Sequence, residues 1–531
     1  MTFRASLSDC ERTLDAELLG DDAEARGVGI DTRTLAAGEL FVAVRGERFD
    51  GHDFAAEAAA RGAAGLVVER AVDVDVPQLV VADAGEALGR LARHWLGRHQ
   101  LPVIAITGSN GKTTTREICR EILERLGPVL ATRGNLNNDY GVPLTVLRLG
   151  PEHRYAVVEM GASRAGDIAR LCRICPPDVA IVTNTAAAHL EGFGDLEGVA
   201  RAKGEIYRAL GPHGQAVVNL DDPRAALLLE AASEAAGGPA RVRGFGVGEA
   251  ADVRGVPGPG LAVDTLGTTL RARFALLGDH NGMNALAAIA AAQCLDVQGP
   301  AIVAGLEAVR AFPGRLQELP GARGCRLIDD GYNANPASAR AAIDVLARLP
   351  GTRHLVLGEM LELGEGAAAM HAEVGRLARR RGLERLWTLG SAARAASEAF
   401  GAGGGAFDDV DELVRALHPH LGELDTVLVK GSRGARMERV VAALGADAPA
   451  PGPAAAPPAT SAVGAAVPVP ESAPASASVP APTRVPADAA SRGPGKAPSA
   501  PPARAGRPAP VVPTGRLKRR RRGRSPSGAA S

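Results

Sequence analysis

Between residues 101 and 312, short apolar runs alternate with longer helical stretches. The runs at 103–107, 155–159, 179–184 and 216–219 are rich in Val, Ile and Ala, bounded by polar or turn residues, and too short for helices. They read as strands, and the alternation with helices predicts a doubly wound α/β domain. Residues 242–277, rich in Gly, Val and Thr, read as a β-meander. A third α/β unit is expected at 313–444, with strands at 326–330, 354–357, 385–389 and 426–429. Ahead of both lies a smaller α/β unit, with strands at 38–44 and 65–68 and helices at 54–62 and 86–99.

The fold class is therefore α/β, and the pattern divides the chain at 1–96, 97–312, 313–446 and 447–531. The last segment departs from all the others. Past residue 447 it consists mainly of Pro, Ala, Ser and Gly, which cannot bury a core, so a disordered linker is expected. It closes on an arginine-rich run at 516–524.

Composition narrows the picture. Formal net charge is zero, which gives no general reason to expect nucleic acid as a partner. Six scattered cysteines form no disulfide framework and suit a reducing compartment. Cys172 and Cys175 make a lone C-x-x-C with no second pair to complete a zinc site, and read as helix residues before Pro176 and Pro177. The N-terminus has no apolar signal core, and no apolar run approaches the ~18 residues of a membrane span. A cytoplasmic protein is expected. Lysine is scarce: of 60 basic residues only five are lysines, and only Lys112, Lys203 and Lys430 precede the tail. Lysine offers a compact ammonium, or an amine that can be deprotonated and modified, where arginine offers neither.

Lys112 sits in the clearest motif. The apolar run 103–107 leads into Gly108-Ser109-Asn110-Gly111-Lys112-Thr113-Thr114 and then a helical stretch. Strand, glycine loop and helix form the geometry that grips phosphate, because backbone N–H groups turn inward and the helix N-terminus adds positive charge. Lys112 would neutralise phosphate oxygens and the Thr113 hydroxyl would ligate magnesium. Polar residues near predicted strand ends add to the site: Glu159, His189, and Lys203 at the opening of a helical run. Glu159 and His189 read as magnesium ligands, against the alternatives of an ordinary strand-end acid and a capping histidine.

Further motifs give the chain a family resemblance. They include Asp31-Thr32-Arg33, Gly134-Asn135-Leu136-Asn137-Asn138, Glu159-Met160-Gly161-Ala162 and His280-Asn281-Gly282-Met283-Asn284. The third unit adds Pro313-Gly314-Arg315, Asp330-Gly331-Tyr332-Asn333-Ala334-Asn335-Pro336 and Lys430-Gly431-Ser432-Arg433. From about residue 27 to 444 the chain resembles the Mur ligases. The motifs at 333–336 and 358–364 look like the branch that adds D-alanyl-D-alanine, and no Asp-Asn-Pro-Arg motif of the preceding ligase is found.

That resemblance implies a three-domain Mur ligase architecture: a UDP-substrate domain, a central ATP-binding P-loop domain and a C-terminal Rossmann-like domain. It implies an ATP- and magnesium-dependent ligase of peptidoglycan precursor synthesis, working through an acyl phosphate on UDP-N-acetylmuramoyl-tripeptide. By the same resemblance, Asn281, Asn284 and Arg315 would contact ATP. Asp330, Asn333, Asn335 and Lys430 would lie toward the interdomain site and the incoming dipeptide. Asn137 and Asn138 would contact substrate, and Asp31, Thr32 and Arg33 would hold its UDP-sugar end. Lys203 would be carbamylated into a magnesium ligand; an unmodified ammonium holding substrate phosphate is the alternative. A monomer is expected. Competing functions are another ligase of the superfamily, including folylpolyglutamate synthase, or a nucleic-acid or membrane binder acting through the basic tail. Weak contact of that tail with an anionic membrane is one reading of its charge, against nucleic-acid binding and a merely solvated charge run.

Overall fold

The computed structural model describes residues 3–46, 49–187, 190–256, 260–265 and 267–448. The tail and its arginine-rich end lie outside the described residues, and so does His189.

The expected central strands are present as Val103–Thr107, Tyr155–Glu159, Val179–Val182 and Gln215–Asn219. They form one sheet in which Val103–Thr107 lies between Val179–Val182 and Tyr155–Glu159, all parallel. Chain order reverses at that strand, so its carboxyl end opens into a crevice. Ile104 and Ile106 face a core under the helices Lys112–Leu123, Asp279–Cys294 and Gly299–Ala308, while Val103 and Ala105 face the opposite core. Burial on both faces explains why these strands read as unbroken apolar runs.

The expected meander at 242–277 is only partly one. Arg241–Gly246 pairs parallel with Gln215–Asn219 and with Val253–Val256, extending the main sheet. Only the pairings of Gly260–Thr265 with Val253–Val256 and with Thr268–Arg273 are antiparallel. A sequence rich in Gly and Thr marks strands without fixing the direction of pairing. The edge strand Val129–Ala131 and the antiparallel strand Gln317–Pro320 also escaped the sequence reading.

The third sheet orders Gln317–Pro320, Arg326–Asp330, Asp425–Lys430, Thr352–Gly358, Arg385–Leu389 and Gly404–Phe407. Asp425–Lys430, last in the chain, is inserted between Arg326–Asp330 and Thr352–Gly358, so Lys430 stands in register with Asp330. The first sheet pairs Leu40–Val42 with Gly65–Val68 and Val28–Gly29. Its long helix, Ala84–Gly97, begins two residues before the expected start because Asp83 caps it, accepting from Glu86 N. Cys172 and Cys175 are buried free thiols at the end of the helix Asp167–Ile174, and Cys172 lies beside the Met160 sulfur at 3.7 Å.

Candidate active site

A cleft of about 910 Å³ opens at the carboxyl ends of the central and third sheets. The loop after Val103–Thr107 forms its floor. Gly108 and Gly111 have φ of 147° and 82°. A Cβ at Gly108 would overlap the Thr183 hydroxyl, and one at Gly111 would overlap the Asn284 side-chain oxygen. Only glycine fits at either place. The helix Lys112–Leu123 starts directly from this loop with no side chain capping its N-terminus, so its first-turn N–H groups are left for a ligand. Lys112 Nζ folds back onto the Gly108 carbonyl at 2.7 Å. Burial lowers its pKa and Arg315 adds to that, while Glu159 opposes it.

Glu159 is buried at the end of its strand. Its carboxylate accepts from the Thr113 hydroxyl at 3.0 Å, from Asn137 Nδ2 at 2.8 Å and from Arg116 Nη1 at 3.4 Å. Glu159 and Thr113 thus set two oxygens side by side at the mouth of the phosphate loop. Among the described residues no group of three or more His, Cys, Asp or Glu could hold a metal. The two oxygens of Thr113 and Glu159 are hard donors, the kind magnesium takes alongside water and phosphate oxygens.

Lys203 does not open a helix, as the sequence suggested. It lies within Leu196–Arg208, buried, with its Nζ 5.6 Å from the Phe193 ring centroid. No carboxylate among the described residues forms an ion pair with it. Burial, and then the charge of Lys112, push its pKa down to about 7. A lysine held there presents a substantial fraction of neutral amine near neutral pH.

The third sheet closes the cleft from above. Arg315 Nη2 donates to the Thr113 hydroxyl at 3.3 Å and lies over the Tyr332 ring at 4.3 Å. Asn335 Nδ2 donates to Asn110 Oδ1 at 2.8 Å, while its own oxygen caps the helix Pro336–Ala347. Lys430 Nζ donates to Asp330 Oδ2 at 2.6 Å and to the Asn333 carbonyl at 3.1 Å. Asn281 and Asn284 are buried beneath the loop and bonded to each other at 3.1 Å.

Not every expected residue is in the cleft. Asn137 and Asn138 line it, but the first is bonded to Glu159 and the second accepts from Gly141 N at 2.9 Å. Asp31, Thr32 and Arg33 do not line it; Arg33 Nη2 pairs with Asp31 at 2.6 Å in an exposed turn, which holds the Asp31 carboxyl low. The sequence reading missed Arg116, Thr183, Asn184, Asn219 and Asp222. Asn184 and Asn219 end two of the predicted strands, and that signal could have found them. Nothing local marks Arg116, whose role depends on Glu159 lying 43 residues away.

With this geometry in hand, comparison with known proteins is informative. Residues 24–96 match the Mur ligase family catalytic domain, 106–292 the Mur ligase middle domain, and 314–433 the Mur ligase glutamate ligase domain. The chain is 43% identical over 452 residues to the UDP-N-acetylmuramoyl-tripeptide–D-alanyl-D-alanine ligase of Escherichia coli, spanning 83% of this chain and 98% of that one. A crystal structure of MurF from Acinetobacter baumannii is similar with a TM-score of 0.77 and 37% identity, covering 83% of this chain and 98% of that chain. MurF from Thermotoga maritima, solved in complex with ADP, is similar with a TM-score of 0.69 and 32% identity, covering 78% and 96%.

Proposed function

Since this chain belongs to the Mur ligase family, we propose that its cleft joins D-alanyl-D-alanine to UDP-N-acetylmuramoyl-tripeptide, with ATP hydrolysed to ADP and phosphate. The observation that carries this reading is the meeting of a phosphate loop with side chains of the third α/β unit, through Arg315 on Thr113 and Asn335 on Asn110.

The chemistry follows from charge. A peptide carboxylate is a poor electrophile, being anionic with oxide as its leaving group. Attack of its oxygen on the γ-phosphorus releases ADP and leaves an acyl phosphate. The dipeptide amine then attacks the carbonyl carbon, phosphate leaves, and the nitrogen loses its proton. The first step brings two anions together, so cations must surround them. Lys112 and the first-turn N–H groups would hold the nucleotide phosphates, with Arg315 reaching the same place. Thr113 and Glu159, with His189, would hold magnesium, which supplies charge compensation between phosphate and carboxylate. Gly108, Ser109, Asn110, Gly111 and Thr114 shape the pocket. Asn281 and Asn284 brace it from below.

Lys203 would act as a carbamate. Its neutral Nζ attacks carbon dioxide, a proton leaves, and the neutral amine becomes an anionic carbamate whose oxygens could hold a metal. The depressed pKa and the lack of a described counter-ion support that assignment. Lys430, ion-paired with Asp330, and Asn333 would receive the incoming dipeptide. Asp31, Thr32 and Arg33 would hold the UDP end at a distance from the chemistry. The domain limits 1–96, 97–312 and 313–446 belong to this reading and enclose the three family matches. No helix among the described residues is long and apolar enough to cross a membrane. A cytoplasmic, monomeric enzyme is proposed.

The deciding experiment is phosphate release with ATP, magnesium and UDP-N-acetylmuramoyl-tripeptide. Release dependent on D-alanyl-D-alanine supports the reading. Release dependent instead on diaminopimelate with the dipeptide precursor, or on glutamate with a folate, would replace it with another ligase of the superfamily.

A further inference from the structure

The phosphate loop is held on its far side by a strap, residues 183–186, that follows the strand Val179–Val182. Thr183 Oγ1 donates to the Asn110 carbonyl at 2.6 Å. Asn184 accepts from Asn110 N at 3.1 Å through its side-chain oxygen, and donates to the Asn110 carbonyl at 3.0 Å. Ser109 Oγ donates to the Ala186 carbonyl at 2.8 Å and accepts from Ala186 N at 2.9 Å. Nothing in the strap is regular secondary structure, so its shape must come from elsewhere.

Thr183 N donates to the Thr107 carbonyl and the Asn184 carbonyl accepts from Ser109 N, both at 3.0 Å, and the neighbouring strand supplies the rest. Asn219, the last residue of Gln215–Asn219, donates to the Thr183 carbonyl at 2.9 Å. Three residues on, the Asp222 carboxylate takes Thr185 at two points: Thr185 N donates to Oδ2 and Thr185 Oγ1 to Oδ1, both at 2.6 Å. Arg224 N donates to the same Oδ1 at 2.9 Å. Asp222 and Thr185 are both buried, and Asp222 lines the cleft. Its carboxylate thus accepts from three donors of the protein, two of them on Thr185.

We propose that Asp222 is a positioning residue for the nucleotide phosphate site, acting through Thr185 to fix the strap that shapes Ser109 and Asn110. This rests on the reading of the cleft as a nucleotide site. A carboxylate suits the task because Thr185 presents two donors, and one carboxylate accepts both. An asparagine of the same shape replaces one acceptor oxygen by an NH2, so either Thr185 N or Arg224 N loses its acceptor. The strap would relax locally and the loop with it.

The test is ADP binding to the full chain by calorimetric titration, read beside the melting temperature. Asp222→Asn and Thr185→Val should each weaken ADP binding about tenfold, ~1.4 kcal/mol, and the pair together should weaken it no further than the worse of the two. Thr185→Ser, which keeps both donors, should bind ADP as the wild type does. The control is Asp178→Asn: Asp178 accepts from Val103 N at 2.8 Å at the opposite end of the same sheet. It should lower the melting temperature and leave ADP affinity unchanged. Wild-type ADP affinity in Asp222→Asn would overturn the proposal, as would an equal loss of affinity in Asp178→Asn. If Asp222→Asn does not fold, Thr185→Val and Thr185→Ser decide, and equal affinities in those two overturn it. A wild-type chain that binds no ADP removes the nucleotide reading itself, and the positioning role with it.

Discussion

Arg315, which leads into the third sheet, donates to the hydroxyl of Thr113 in the phosphate loop, 3.3 Å away and 202 residues earlier in the chain. The Tyr332 ring steadies the guanidinium at 4.3 Å and meets Arg433 at 5.4 Å. A cation on one sheet is thereby aimed at the phosphate site of another. Arg315→Ala should raise the KM for ATP about tenfold, by loss of ~1–2 kcal/mol of cation–π and charge-assisted interaction. Arg315→Lys should recover only part, because an ammonium lacks the planar fork that stacks on Tyr332. Initial rates at varied ATP check both.

Lys112→Ala should lower kcat/KM for ATP by a factor of ~100–1,000, the scale seen when one preorganised donor to a developing charge is removed. The fold should survive, since among the described residues Lys112 Nζ is hydrogen-bonded to the Gly108 carbonyl alone. Circular dichroism and the coupled phosphate assay measure the two halves. Near-normal turnover by a folded variant would end the phosphate-loop assignment.

Lys203 gives a pH prediction with a defined sign. Its amine is pushed down to about 7, and only the neutral amine reacts with carbon dioxide. Lowering the pH below that value should therefore reduce activity, and supplying bicarbonate should restore part of it. Lys203→Arg should be inactive. Lys203→Ala should recover some turnover with short carboxylates, and a full lack of response to both carboxylates and bicarbonate would refute the carbamate.

The buried imidazole of His354 should shape acid stability. Trp387 Nε1 donates to its Nδ1 at 3.3 Å, while its Nε2 has no hydrogen-bond partner among the described residues and stands 4.0 Å from Asp425 Oδ1. Burial pushes its pKa from 6.5 down to about 4. Between these values the unfolded chain holds a proton the folded chain does not, so the stabilisation is complete above 6.5 and is lost as pH falls toward 4. Melting temperature should decline across that window. His354→Gln should flatten the decline, and an unchanged profile would show that His354 is not its source.

The tail yields a separate expectation. Alignment with the Escherichia coli ligase covers 98% of that protein but 83% of this chain, so catalysis should not depend on the tail. Truncation after Asp447 should leave kcat and melting temperature almost unchanged. The arginine-rich end, at roughly 1 kcal/mol per basic residue near an anionic surface, should carry the full chain but not the truncated one upward with anionic liposomes at low salt. Equal flotation of the two would remove the membrane reading.

Much of this protein is legible without coordinates because the informative features are local. The strand Val103–Thr107, the glycines at 108 and 111, Lys112 and the helix after it are contiguous, and their backbone requirements are met within one stretch of chain. Buried parallel strands announce themselves as apolar runs, which placed Glu159 at a strand end in advance. The sequence could not decide how strands separated by a hundred residues pair. Asp330 meets Lys430 only because Asp425–Lys430 inserts beside Arg326–Asp330. Nor could it place Lys203 within its helix, or set Arg116 on Glu159 and Asp222 on Thr185. Each of those depends on side chains distant in sequence converging in a dehydrated space. There hydrogen-bond partners and pKa values follow from which neighbours exclude the water, and that is decided when the sheets assemble.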